Sequence, residues 1–203
     1  MLLQLDHITK SFGTHKVLDD VCFTLDKGEA MAILGANGAG KTTLLRIINR
    51  LLVPDSGQVF FDGHTMEQDD LSQIGYLPEE RGLYRRMRAG EQVCYLARLK
   101  GLSSREARHR AQQWFERLGV TDWWNRPVSR LSKGMQQKVQ FIATVAHTPR
   151  LLILDEPFSG FDQENAAMLK HEITALRSEG TAILLSTHNL QAADELCTKK
   201  LHL

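Results

Sequence analysis

Residues 29–43 read EAMAILGANGAGKTT, and the rest of the chain is best understood outward from there. The run from Ala30 to Leu34 is short, apolar and uninterrupted, as a strand buried on both faces is. It leads directly into Gly35, Ala36, Asn37, Gly38, Ala39, Gly40, Lys41, Thr42 and Thr43, which match the pattern G-x-x-x-x-G-K-[ST]. LLRIINRLL then carries helical apolar spacing up to Pro54. Strand, glycine loop and helix form the setting in which such a pattern works. Glycines permit a tight wrap, backbone N–H groups and a helix N-terminus cradle phosphates, the lysine reaches the β/γ-phosphates, and the threonine hydroxyl can ligate Mg²⁺. Residues 35–43 are therefore candidate nucleotide contacts, with Thr42 a candidate metal ligand.

Towards the N-terminus, Leu3, Leu5 and His7 alternate with polar residues, and 17–25 alternates again before the turn at Asp26, Lys27 and Gly28. An antiparallel β piece is expected there. In the other direction, turns at 54–57 and 62–63 bracket a strand at 58–61, and a strand at 74–77 is stopped by Pro78. Across 88–147 the period becomes helical, with helices expected at 91–100, 104–118 and 133–147, the second capped by Ser103 or Ser104. The chain then returns to β/α alternation: a buried strand at 151–154, a helix near 163–177, a strand at 181–185 and a last helix near 189–197. A helical insert inside an α/β core is the simple reading.

The strand LLIL delivers Asp155 and Glu156 at its end, beside the phosphate loop if the two strands are neighbours in a parallel sheet. Adjacent acids invite two roles. Asp155 would hold the Mg²⁺ shell, and Glu156 would orient and deprotonate the water that attacks the γ-phosphate. His188 follows the strand AILLS and so stands at the same end of the sheet, where its imidazole could bond the γ-phosphate.

Composition bounds the reading. At 203 residues the chain suggests one domain, or one domain with an inserted subdomain, and 42% hydrophobic with 24% charged residues is ordinary for a soluble globular protein. Lys and Arg number 25 against 24 Asp and Glu, which excludes the strong overall basicity of a dedicated nucleic-acid binder. Cys22, Cys94 and Cys197 are far apart and form no C-x-x-C pair, so neither a zinc site nor a disulfide framework is indicated, and a reducing cytosolic compartment fits. The N-terminal apolar run breaks at Gln4 and Asp6, too early for a signal-peptide core, and no stretch approaches a spanning helix. A function at a membrane therefore requires another chain to cross it.

Taken in order, these motifs resemble the ATP-binding cassette (ABC) family of nucleotide-binding subunits along almost the whole chain. Besides GANGAGKTT and LLILDEP, LSKGMQQK at 131–138 is similar to the family signature and SGFD at 159–162 to the D-loop, and STH at 186–188 belongs to the same match. The resemblance implies an α/β fold. Its parts are a P-loop NTPase core, an N-terminal antiparallel β piece and an inserted helical subdomain, C-terminally short. The chain would be a single ATP-binding domain over 1–203, with a core of 1–80 and 148–203 and a mainly helical subdomain over 81–147.

The resemblance also implies ATP and Mg²⁺ as ligands and a head-to-tail dimer, homodimeric or heterodimeric. In it the ATP of one subunit meets Ser132, Lys133, Gly134, Met135 and Gln136 of the other. A helix N-terminus supplied in trans suits the γ-phosphate physically. Phe12 corresponds to the aromatic that stacks on adenine, and Val17 is placed beside the nucleotide. Glu79 occupies the place of a family glutamine that touches Mg²⁺ and the attacking water. Its carboxylate adds charge there. Lys133 and Met135 stand where glycine and glutamine are commoner, and the chain stops where family members usually continue with further strands.

YLPEERGLY at 76–84 and GEQVCYLARLKGL at 90–102 look most like ATPase subunits of ABC-2-type exporters. The implied function is ATP hydrolysis powering an exporter, through an integral membrane permease, on the cytoplasmic inner face of the cell membrane. A soluble ABC ATPase outside transport, or a truncated or regulatory subunit with little turnover, is the alternative. Between residues 81 and 110, Arg81, Arg85, Arg86, Arg88, Arg98, Lys100, Arg105, Arg108 and Arg110 outnumber Glu91 and Glu106. That excess suits a solvated helix face, a permease or lipid headgroups better than nucleic acid, because interleaved aromatics are absent.

Overall fold

In the computed structural model, which describes residues 1–80 and 82–203, the chain forms two sheets and a group of helices. The first sheet is antiparallel, built from β1 (Leu3–Phe12), β2 (His15–Leu25), β4 (Ser56–Phe61) and the two-residue β5 (His64–Thr65) in the order β2-β1-β4-β5. The second is parallel: β3 (Ala30–Leu34), β6 (Ile74–Leu77), β7 (Leu151–Asp155), β8 (Ala182–Thr187) and β9 (Lys199–His202), in the order β6-β7-β8-β3-β9.

Every residue of β3, β7 and β8 is buried, which explains their unbroken apolar runs. Successive side chains leave opposite faces of the sheet. Leu151 and Ile153 enter a core shared with α1 (Lys41–Ile48) and the antiparallel sheet, through Leu45, Ile48, Leu3 and Phe61. Leu152 and Leu154 enter a second core with α5 (Gln163–Ser178) and α6 (Leu190–Leu196), through Ile173 and Leu196. Each such side chain contributes roughly 1.5–3 kcal/mol on burial, so slipping one residue along β7 would exchange the two faces at a large cost.

The insert carries α2 (Ala89–Leu99), α3 (Ser104–Arg117) and α4 (Lys133–Val145). α2 begins two residues before the predicted start, where Arg88 N donates to Glu91 Oε2 at 3.3 Å in a capping box. Ser103, not Ser104, caps α3, and Glu106 N donates to its Oγ at 3.2 Å. α4 belongs to two cores. Val139 and Ile142 pack with Val93 and Phe115 of the insert, while Phe141 and Val145 pack against the parallel sheet.

Two expectations need correction. The phosphate-loop strand β3 and the acid-bearing strand β7 are not neighbours, because β8 lies between them. The final residues are not a tail after α6: β9 pairs with β3, Met31 opposite Lys199 and Leu34 opposite His202. Its four residues alternate half-buried and exposed and include two lysines, a pattern too short and too polar to read as a strand. Arg81 of the basic run lies outside the described residues.

Candidate functional site

All the strands of a parallel sheet point their C-terminal ends the same way, and ligands bind at that edge. Register sets the components in a row across it. Ile33 stands opposite Ser186, and Ser186 opposite Asp155. The loop after β3, Glu156 after β7 and the histidine after β8 therefore converge on one cavity of about 520 Å³, and Asp155 at the end of β7 lines the cavity beside it. Asn37, Gly38, Gly40, Lys41, Thr42 and Thr43 line it together with Glu79, Glu156, Ser159 and His188.

The glycine loop reaches this shape through left-handed backbone at Gly38 (φ 85°) and Gly40 (φ 100°). A Cβ at Gly40 would lie 2.8 Å from Val17 Cγ1 and 2.9 Å from the Val17 carbonyl oxygen, so β2 presses on the loop and excludes any larger residue. Val17 thus shapes the loop from behind. Gly35 is tight as well: a Cβ there would meet the Leu203 carbonyl oxygen at 3.0 Å, and Leu203 N donates to Leu34 O at 2.9 Å. α1 starts at Lys41 with no side-chain cap and no acid in its first turn, leaving its N-terminal N–H donors available to an anion.

Lys41 is only 7% exposed. Its Nζ donates to Gly35 O at 2.8 Å and Ala36 O at 3.1 Å, and Glu156 Oε1 lies 3.8 Å away. An ammonium buried among carbonyls, lining the same cavity as the uncapped N-terminus of its own helix, suits a phosphate group. The residues present thus fit a nucleotide's phosphates, and the oxygen donors Thr42 Oγ1, Asp155 and Glu79 fit a hard divalent cation.

Ser186 orders the acid pair. Its hydroxyl donates to Asp155 Oδ1 and accepts from Glu156 N at 3.1 Å. Asp155 is 1% exposed. Glu156 adopts φ 46°, a left-handed conformation that a glutamate enters at a cost of order 1–3 kcal/mol, and its side chain is thereby turned to the cavity. His188 Nδ1 lies 3.0 Å from Glu156 Oε1. In the sequence Ser186 stands out only as the first residue of STH. The register that makes it a crosspiece between two acids appears once the strand order is known.

Glu79 lines the cavity and also a neighbouring one of about 350 Å³ that includes Arg46, Tyr76 and Asp155. Burial, reinforced by the Asp155 charge, pushes the Tyr76 phenol up to about 12. The Glu79 segment is also tied to α4, because Gln140 Nε2 donates to Glu80 O at 3.2 Å.

The signature residues lie elsewhere. Ser132 caps α4, its Oγ accepting from Met135 N at 3.3 Å, and Ser132, Gly134 and Met135 line a separate cavity of about 310 Å³ with Gly160, Asp162 and Asn165. Lys133 opens the helix beside them. Gln136 spends its donors on its own loop: Nε2 donates to Leu131 O at 2.9 Å and N to Ser132 O at 2.9 Å. Phe12 stands 52% exposed at the end of β1, outside the residues lining the 520 Å³ cavity. One chain therefore brings the phosphate loop, acids and histidine together but leaves the signature apart.

No helix among the described residues is long and apolar enough to cross a membrane. The family model described as "ABC transporter" matches residues 18–159. The uncharacterized ABC transporter ATP-binding protein YhaQ of Bacillus subtilis is 46% identical over 97% of this chain and 66% of its own length, so the chain spans about two thirds of that relative. The ABC transporter ATP-binding protein NatA of the same organism is 40% identical over 90% of this chain and 76% of its own. A solved ATP-binding subunit of an ABC transporter superposes with a TM-score of 0.92 at 31% identity, covering 100% of this chain and 86% of that one. With motifs, strand order and site geometry in agreement with these matches, the chain belongs to the ABC transporter family of ATP-binding proteins.

Proposed function

We propose that this chain is the ATP-hydrolysing subunit of an exporter, working as a homodimer or heterodimer beneath an integral membrane permease, on the cytoplasmic face of the membrane. The observation that carries the reading is the buried Lys41 ammonium, held in a glycine loop across one cavity from Glu156 and His188. The whole of 1–203 acts as one ATP-binding domain, with the core in 1–80 and 148–203 and the helical subdomain in 81–147.

Lys41, the amides of residues 37–43 and the α1 N-terminus bind the β- and γ-phosphates. Thr42, Asp155 and Glu79 would hold Mg²⁺, which when bound neutralises phosphate charge. Glu156 accepts a proton from the attacking water as the water oxygen bonds the γ-phosphorus and the bond to the β,γ-bridging oxygen breaks. His188 holds Glu156 and the γ-phosphate side of the cavity in place. Phe12 stacks on the adenine from the exposed end of β1. Ser132, Lys133, Gly134 and Met135 complete the site from a second subunit, since their own cavity is separate from the phosphate loop of their chain.

Calorimetry tests the binding half of this reading. Lys41→Ala removes a charge-assisted donor set and should weaken ATP binding by roughly ten- to a hundredfold. Equal affinity in both proteins would overturn the phosphate-loop assignment. Tight binding without turnover, even with a permease present, would instead favour a regulatory subunit.

A further inference from the structure

The N-terminal sheet holds a constellation that the nucleotide site does not use. In the pairing of β1 with β2, Leu5 stands opposite Phe23 and Ile8 opposite Val21, so Asp6 and His7 together oppose the single residue Cys22. This is a β-bulge. On a regular strand Asp6 and His7 would leave opposite faces, but the extra residue re-aims one of them. One step along, Ile8 opposite Val21 is followed by Lys10 opposite Leu18, so Asp19 and Asp20 oppose Thr9 in a second bulge on the other strand. His7 (φ 53°) and Asp20 (φ 55°) are both left-handed, an unusual state for two non-glycine residues in one hairpin.

The result is that donor atoms of Asp6, His7 and Cys22 lie within 4.8 Å of one another. His7 Nδ1 is 2.5 Å from Asp20 Oδ1. A carboxylate only accepts, so Nδ1 carries the proton, and in the neutral ring Nε2 keeps its lone pair for a metal ion, which must compete with the second proton that Asp20 and Asp6 favour. That Nε2 faces Asp6, with Oδ1 at 3.9 Å. The Cys22 sulfur accepts from His7 N at 3.1 Å, which fixes the sulfur beside the histidine. Tetrahedral zinc with bonds of about 2.0–2.3 Å sets its ligands roughly 3.3–3.8 Å apart, within small side-chain rotations of this arrangement.

We propose that Asp6, His7 Nε2 and Cys22 form a binding site for a borderline divalent transition-metal ion, Zn²⁺ foremost, with Asp20 orienting the histidine ring. Nitrogen, sulfur and carboxylate oxygen together match zinc better than Mg²⁺ or Ca²⁺, which take oxygen ligands. Asp20 on the far ring nitrogen is the carboxylate–histidine arrangement that commonly supports such ligands. Three protein ligands leave a fourth position for water or another group. The cysteine spacing in the sequence gave no sign of this, because the site joins one cysteine to residues from another strand.

Cobalt(II) titration of the full, reduced chain tests the proposal, since cobalt–thiolate bonds absorb in the near ultraviolet and cobalt on oxygen ligands at the nucleotide site does not. One equivalent should develop that band, and Zn²⁺ should abolish it. Cys22→Ala should lose the band. Asp20→Asn, which tolerates left-handed backbone and can still accept from Nδ1 while losing the carboxylate charge, should weaken Zn²⁺ binding by roughly 10–100-fold. His7→Asn should weaken it at least as much. All three side chains are exposed, so the variants should fold, and circular dichroism checks this. Absence of the band in the wild type overturns the proposal. So does its persistence in Cys22→Ala, which would assign it to Cys94 or Cys197, and so does unchanged affinity in both Asp20→Asn and His7→Asn.

Discussion

Glu156 Oε1 accepts from His188 Nδ1 at 3.0 Å and also faces Lys41 Nζ at 3.8 Å, so one carboxylate oxygen stands between the histidine and the phosphate-loop cation. The three arrive from three strands that share one edge of the sheet. Only His188, its side chain 67% exposed, can swing outward, whereas Glu156 at 12% and Lys41 at 7% are confined. A phosphate entering between them would draw Lys41 away from Glu156. The glutamate would then keep the histidine as its partner and become free to accept a proton from water.

Glu156→Gln should preserve the shape of that arrangement and remove its basicity. Hydrolysis should slow by roughly 10²- to 10⁴-fold while ATP binding persists. Light scattering should then find a dimer with ATP and a monomer with ADP, and Ser132→Arg on the same background should restore the monomer. A dimer under all these conditions would show an interface that the γ-phosphate does not control.

Glu79→Gln removes one negative charge from a cavity wall that also includes Thr42 and adjoins Asp155. The Mg²⁺ concentration needed for half-maximal hydrolysis should rise, because a carboxylate binds the ion better than an amide. Superimposable Mg²⁺ titrations for the variant and wild type would remove Glu79 from the metal site.

His147 predicts how stability depends on pH. Burial, with the nearby Lys100 charge, lowers its pKa from 6.5 to about 4, and its Nδ1 is buried without a partner. The unfolded chain therefore binds more protons between these values, and stability falls as pH drops from about 6.5 towards 4. Because the unfolded imidazole is already half protonated at pH 6.5, moving from pH 6.5 to 5 should cost about 1.5 kcal/mol at 1.36 kcal/mol per unit. His147→Gln cannot ionise, so its denaturant-determined stability should lack that increment. Parallel pH curves for the two proteins would refute the assignment.

Much of the site could be read from the chain because its parts are contiguous: an unbroken apolar strand, then a loop or an acid pair, each within about ten residues. What could not be read depends on which strand lies beside which. Placing β8 between β3 and β7 makes Ser186 the link between Asp155 and Glu156, and no local pattern around Ser186 announces it. β9 escaped notice because an edge strand needs only alternate burial, which Lys199, Lys200, Leu201 and His202 satisfy weakly. The paired bulges of β1 and β2 were hidden too, since an inserted residue breaks the very alternation by which strands are recognised.

α4 has a mechanical consequence. Ser132 at its start carries the signature end, and Gln140, eight residues on, holds the carbonyl of Glu80. At 1.5 Å per residue these points sit about 12 Å apart on one stiff rod. A push that tilts the rod displaces the Ser132 tip and the Glu79 segment in the same stroke. In the proposed dimer, each chain would thus report its grip on the opposite nucleotide to the proposed metal side of its own, keeping the two half-sites in phase like cams on a common shaft.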